Sequence, residues 1–205
     1  QYVGFRVFWN LKKKEFKNFF RHINIQPIKK KMPTVSIIGC GHSGTSLTAG
    51  KLSRHPNIAV IGYETGWFFP TYDCAKAKEN LLSEMNKAAS LGKDLIIEKT
   101  PKHLHSYKRI KKILPNNQFI CIVRNPLDTI ASLYRRFGSI ENAIDRWVVD
   151  NTEILNYQNR EDSIIINYES LTQQPREVFI AICEFIKVDF SEIILESGAT
   201  SYDKN

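Results

Sequence analysis

The chain has 205 residues, of which 42% are hydrophobic and 24% charged, enough for one well-buried domain and too few for two comfortable ones. The profile is that of a soluble globular protein, and no apolar run reaches the roughly 18 residues that span a bilayer. The formal net charge of +8 sits at one end: residues 1–32 hold nine Lys or Arg against Glu15 alone, while the rest balance at 20 basic and 20 acidic.

Taken in chain order, residues 1–32 form a basic amphipathic arm. Phe16, Phe19, Phe20 and Ile23 fall at helical spacing, ringed by Lys12, Lys13, Lys14, Lys17 and Arg21. The arm reads either as a helix docking its aromatic face on the core or, across residues 5–31, as a contact for an acidic membrane surface or polyanion. No nucleic-acid fold signature accompanies it, so nucleic acid is not an expected partner.

Pro33 opens the second unit, residues 33–205. Strands are predicted at "TVSIIG", "NIAVIG", "DLIIE", "QFICIV" and "SIIIN". Helices are predicted at Thr45–Ser53, Ala75–Leu91, Leu104–Leu114, Leu127–Phe137, Ile140–Tyr157 and Pro175–Ile186. Gly92, Pro115 and Gly138 supply stops. The strands are continuous apolar runs, not alternating ones, so both their faces are buried. The expected fold is α/β: a P-loop-like three-layer sandwich with a central parallel sheet of about five strands flanked by helices. Ligands in such sheets bind at the carboxyl ends of the strands.

The first strand runs into "GCGHSGTS", residues 39–46. A strand–helix turn rich in glycine reads either as an anion site, because backbone N–H groups and the helix dipole converge there, or as a plain turn. Gly39, Gly41 and Gly44 permit a tight turn, and Ser43, Thr45 and Ser46 add hydroxyl donors. The lysine that a nucleotide triphosphatase carries just before its last hydroxyl is replaced by Thr45. A second motif, "VRNPLDTIAS", places Arg124 at the end of the fourth strand. Ser132 follows two helical turns on, and Arg136 one turn further along the same face. This set is suited to gripping a second phosphate through charge-assisted bonds.

Together these motifs resemble the sulfotransferases that use 3′-phosphoadenosine 5′-phosphosulfate (PAPS). The resemblance covers about residues 34–190 and includes "HPNIAVIGYET", "EKTPK" and "INYESL" in family order. It implies sulfuryl transfer from PAPS to an acceptor hydroxyl (glycan, tyrosine or small alcohol) by in-line displacement with a general base, leaving 3′-phosphoadenosine 5′-phosphate (PAP) and needing no metal. By the same resemblance Gly41, His42, Ser43, Gly44, Thr45 and Ser46 cradle the 5′-phosphosulfate. Arg124 and Ser132 take the 3′-phosphate with help from Arg136, and Tyr168 lines the adenine side. Lys99 stabilises the bridging oxygen, and Glu64 is the general base, favoured over His103, which follows Lys99 and Thr100 after two intervening residues. The family usually has Lys or Arg before Ser43; here it is His42, which carries full charge only when protonated. "YET" brings the chain nearest the tyrosylprotein and carbohydrate branches.

Trp67, Phe68 and Phe69 read as an acceptor wall or as plain core. Two other functions fit parts of the pattern: a small P-loop kinase, with "DLIIE" ordering magnesium, and a non-catalytic module that binds 3′,5′-ADP. Cys40, Cys74, Cys121 and Cys183 show neither C-x-x-C nor zinc spacing. Cys121 and Cys183 read as small buried hydrophobes, consistent with a cytoplasmic, reducing compartment. The chain begins at Gln1 and not Met, which leaves an upstream signal or anchor open. Nothing in the sequence speaks to oligomeric state.

Overall fold

The computed structural model describes residues 27, 28 and 32–196. The readings made for the rest of the basic arm, and for the closing stretch 197–205, lie outside the described residues. Five strands make one sheet: β1 (Thr34–Gly39), β2 (Ile58–Val60), β3 (Leu95–Lys99), β4 (Gln118–Val123) and β5 (Ser163–Asn167). Their spatial order is β2-β3-β1-β4-β5, and every neighbouring pair is parallel. Seven α-helices are described: α1 (Thr45–Leu52), α2 (Cys74–Ser90), α3 (Tyr107–Ile113), α4 (Pro126–Phe137), α5 (Ile140–Ile154), α6 (Tyr168–Gln173) and α7 (Pro175–Ile186).

Strand alternation sends successive side chains to opposite faces. Val35, Ile37, Ile97, Ile120 and Ile122 face one layer, where α1, α6 and α7 contribute Ala49, Leu52, Leu171, Phe179 and Ile182. Ile38, Ile96, Phe119 and Cys121 face the other, against Leu81 and Met85 of α2, Ile110 of α3 and Ile154 of α5. Fully burying one such aliphatic or aromatic side chain stabilises by about 1.5–3 kcal/mol. The α/β sandwich expected from the strand composition is thus the observed fold. The four cysteines are unpaired thiols, all buried.

Side-chain caps set three of the seven helix starts. Asp73 accepts from Lys76 N at the head of α2, Asn125 from Leu127 N at α4, and Ser139 from Asn142 N at α5; such caps are worth about 0.5–2 kcal/mol each.

Four expectations change in detail. The helix predicted over Leu104–Leu114 is a 3₁₀ turn, Pro101–Ser106, followed by α3. Pro101 sits at its start, and the ring of His103 is drawn into the core. The helix predicted to reach Tyr157 tightens to 3₁₀ over Leu155–Tyr157, where the Tyr157 hydroxyl donates to Leu104 O at 2.7 Å. The second strand keeps only Ile58–Val60. Helix α6 was not anticipated, because it follows β5 directly and Asn167 gives it no side-chain cap.

The chain leaves β1 toward β2 on one side and later reaches β4 on the other. The loops after β1 and β4 therefore part at their carboxyl ends and open a crevice, the switch point at which ligands of such sheets bind.

Candidate active site

The loop after β1 turns through two left-handed residues, His42 at φ 68° and Gly44 at φ 101°. Gly44 is the N-cap of α1, whose first-turn N–H groups have no intrahelical partners. A side chain at Gly44 has no room: its Cβ would lie 2.3 Å from Cδ2 of Tyr168. The expected hydroxyl donor Ser43 points inward instead, donating to Cys40 O at 2.7 Å, and is buried. That bond closes the turn, so Ser43 shapes the loop and its hydroxyl is not presented to the crevice. Thr45 and Ser46 do line the crevice.

His42 joins the two anion motifs. Its carbonyl accepts from Arg124 Nη1 at 3.2 Å, and its Nδ1 lies 2.9 Å from Ser132 Oγ. Burial, then the charges of Arg136, Arg124 and Arg135, lower its pKa below the ordinary 6.5. The neutral ring is therefore the favoured form beside three guanidinium groups. Arg124 also stacks over Tyr168, its guanidinium carbon 4.4 Å from the ring centroid, while its Nε is buried without a hydrogen-bond partner among the described residues. Glu169 steadies the turn by accepting from Asn125 N at 2.9 Å. The sequence reading missed this contact, since it depends on α6 starting where it does.

Lys99 and Glu64 pair, Nζ to Oε1 at 2.7 Å, with the lysine 3% and the carboxylate 56% exposed; Glu64 lines the crevice, and the buried Lys99 meets it through this pair. Glu98 and Lys99 are adjacent on β3 and send their side chains to opposite faces. Glu98 is buried and accepts from Thr65 and Thr100 hydroxyls at 2.9 and 2.5 Å, with His103 Nδ1 2.9 Å away. Burial pushes its carboxyl pKa up, but His103, Thr100 and Thr65 outweigh that and hold it below the ordinary value. His103 is wholly buried, packs against the rings of Phe68 and Phe69, and accepts from Phe68 N at 3.2 Å. With Nε2 accepting, Nδ1 carries the proton. Both nitrogens are engaged, and the ring does not line the crevice.

The crevice encloses about 580 Å³, within the range of small-molecule sites. It is lined by Gly41, His42, Gly44, Thr45, Ser46, Arg124, Ser132, Arg136 and Tyr168 of the two motifs and by Glu64, Phe69, Pro101, Lys102, Phe137 and Arg146. Trp67 and Phe68 are core, so the aromatic segment divides and Phe69 alone reaches the crevice. Lys102, Phe137 and Arg146 were missed by the sequence reading; only the packing of α5 beside the 3₁₀ turn brings Arg146 to the site. A second hollow of about 360 Å³ lies at the outer edge of β2 and holds none of the motif residues. Among the described residues no group of three or more His, Cys, Asp or Glu is placed to hold a metal, and no helix is long and apolar enough to cross a membrane.

A parallel α/β sandwich of this kind, with a glycine-bearing loop after β1 and an arginine at the end of β4, is a class of fold that binds its ligands at the carboxyl ends of the strands. A family model described as "Sulfotransferase family" matches residues 73–192, more than half of the chain, and the chain belongs to that family. The match takes in Lys99, Arg124, Ser132, Arg136 and Tyr168 but begins after the β1 loop. Among curated proteins, the heparan sulfate glucosamine 3-O-sulfotransferase 6 of Mus musculus is 28% identical over 111 residues, 53% of this chain and 31% of that protein. The Homo sapiens protein of the same name is 27% identical over the same length. The matched region is thus about a third of the length of these relatives. Among solved structures, the sulfotransferase domain of the Synechococcus PCC 7002 olefin synthase superposes with a TM-score of 0.66 at 21% identity, covering 89% of this chain and 84% of that one. Mouse sulfotransferase SULT7A1 complexed with PAP gives 0.56 at 18% identity, covering 79% and 61%. At these identities the structural likeness speaks for the fold.

Proposed function

We propose that the chain transfers the sulfuryl group of PAPS to a hydroxyl of a glycan acceptor. The observation that carries this reading is the union of two anion sites in one crevice: the β1 loop, and Arg124 with Ser132, linked through His42. The residues fit the donor. Gly44 leaves open backbone at the head of α1, and the buried Arg124 Nε has a donor to offer. Arg124 and Ser132 would hold the 3′-phosphate with Arg136, Tyr168 would flank the adenine, and the N–H groups and hydroxyls of residues 44–46 would hold the phosphosulfate.

In the transfer, the bond from sulfur to the phosphate oxygen breaks as one from sulfur to the acceptor oxygen forms, and the acceptor proton passes to Glu64. Lys99, almost fully buried and paired with Glu64, supplies the charge that meets the departing phosphate oxygen. A glycan is the acceptor class suggested by the names of the curated relatives. The kinase alternative loses its acidic strand, because Glu98 is buried and committed to three partners. A non-catalytic module would have no use for the Glu64–Lys99 pair in the crevice.

Thermal denaturation with 3′,5′-ADP in chelator, followed by mass detection of sulfated product from PAPS, tests the proposal. The ligand raises the melting temperature as mass action requires. No shift with 3′,5′-ADP, together with a clear one from magnesium-ATP, would refute it.

A further inference from the structure

The loop that carries Glu64 is tied down one amide at a time. After Glu64, four successive backbone N–H groups are taken by side chains. Thr65 N and Gly66 N donate to Thr100 Oγ1 at 3.0 and 3.4 Å, Trp67 N to Thr65 Oγ1 at 3.3 Å, and Phe68 N to His103 Nε2 at 3.2 Å. These acceptors converge on one group. The Thr65 and Thr100 hydroxyls donate to Glu98 Oε1, and His103 Nδ1 donates to Glu98 Oε2. The loop after β2 is thereby bound to the end of β3 and to the 3₁₀ turn that follows it.

A loop does not need a buried carboxylate to fold. Glu98 is 4% exposed, and a charge so deep is costly unless each partner is in place. Apolar residues of similar volume often join elements at least as firmly. What the network adds is direction. Glu98 immediately precedes Lys99, and Thr65 immediately follows Glu64. The network therefore fixes the backbone next to each member of the Glu64–Lys99 pair. The Glu64 carboxylate is 56% exposed, so packing alone does not aim it. A base has to stay within hydrogen-bond reach of the proton it takes.

Resting on the reading of Glu64 as the base of sulfuryl transfer, we infer that Thr65, Glu98, Thr100 and His103 are positioning residues for that base. None of the four lines the crevice; they act through the backbone that bears Glu64. Thr100 is the joint, since its hydroxyl accepts from two loop amides and donates to Glu98. The network sets the rate of transfer and leaves donor affinity unaffected.

The test uses the full chain with PAPS. Transfer is read as mass gain on a glucosamine-containing oligosaccharide and, in its absence, as release of PAP with water as the acceptor. Wild type, Thr100→Val and Thr100→Ser are each made alone and together with Glu64→Gln. Valine keeps the branched shape of threonine and removes the hydroxyl. In Thr100→Val kcat falls about tenfold to a hundredfold, as a displacement of about 1 Å at a reacting group can cost, while affinity for 3′,5′-ADP stays as in wild type. Serine returns the hydroxyl and most of the rate. In the Glu64→Gln background Thr100→Val costs nothing further, because the group it positions is gone. A merely structural role gives an equal fall in both backgrounds; that result, or an unchanged kcat, overturns the inference. Thr65→Val, at a half-buried position, repeats the comparison where Thr100→Val disturbs folding. Amide hydrogen exchange supplies a readout that needs no turnover. The Thr65 and Gly66 N–H groups exchange slowly in wild type and fast in Thr100→Val, and fast exchange in wild type overturns the inference as well. Protected amides in a wild type that neither binds 3′,5′-ADP nor releases PAP strike instead at the sulfotransferase reading beneath it.

Discussion

Gly44→Ala should damage both stability and donor binding, and the two causes can be separated. The backbone there has φ 101°, outside the range that L side chains adopt comfortably, and left-handed backbone costs a residue with a Cβ roughly 1–2 kcal/mol. The new Cβ would also lie 2.3 and 2.8 Å from Cδ2 and Cε2 of Tyr168. The ring must shift away from Gly44, and overpacking of this kind costs about 1–3 kcal/mol. The combined penalty is about 2–5 kcal/mol, against total stabilities of about 5–15 kcal/mol for ordinary domains, so the variant folds but melts lower. Urea denaturation gives the free energy, and calorimetry with 3′,5′-ADP gives the binding loss. Repeating both in a Tyr168→Ala background removes the clash and keeps the backbone strain. The stability penalty should then shrink to about 1–2 kcal/mol. A Gly44→Ala protein within about 0.5 kcal/mol of wild type, or an equal penalty in both backgrounds, would refute the account of why this position is glycine.

Arg124→Ala should cost about 1.5–3 kcal/mol of affinity for 3′,5′-ADP and much less for 5′-AMP; calorimetry showing equal losses would remove Arg124 from the 3′-phosphate. Glu64→Gln should lower kcat by about 10²–10⁴ with 3′,5′-ADP affinity nearly unchanged, in single-turnover assays with PAPS. His103→Ala should destabilise by about 1.5–3 kcal/mol, because it strips the buried Glu98 carboxylate of a hydrogen-bond partner; an unchanged urea midpoint would contradict that. Acid should weaken the fold in part through His42. Its folded pKa lies below 6.5, so the unfolded chain takes up this proton first, and stability complete above about 6.5 is lost as pH falls through the folded value. His42→Gln should lose less stability than wild type between pH 7 and 5; parallel melting curves would show that His42 is not involved.

The sandwich was legible in the sequence because its strands are short, continuous apolar runs separated by capping residues and glycines. That pattern has few readings other than a buried parallel sheet. The anion loop and the Arg124–Ser132 motif were legible for a similar reason, since each is local, a strand end and the helix that follows it. What needed the tertiary structure was everything joining segments distant in the chain. The sheet order puts the loops after β1 and β4 side by side and lets His42 bridge Arg124 and Ser132 over 82 and 90 positions. It also pairs Lys99 with Glu64 and not with adjacent Glu98. His103, a candidate base by its spacing from Lys99, proved to be a core residue because the 3₁₀ turn rotates its ring under Phe68 and Phe69. Arg146 carries no local sign of a site: its residue type and its i, i+4 partner Asp150 suit any exposed helix. Only the packing of α5 against the turn after β3 brings it into the crevice. Side-chain direction within one element follows from its period, but proximity between elements follows from the long-range burial that assembles them.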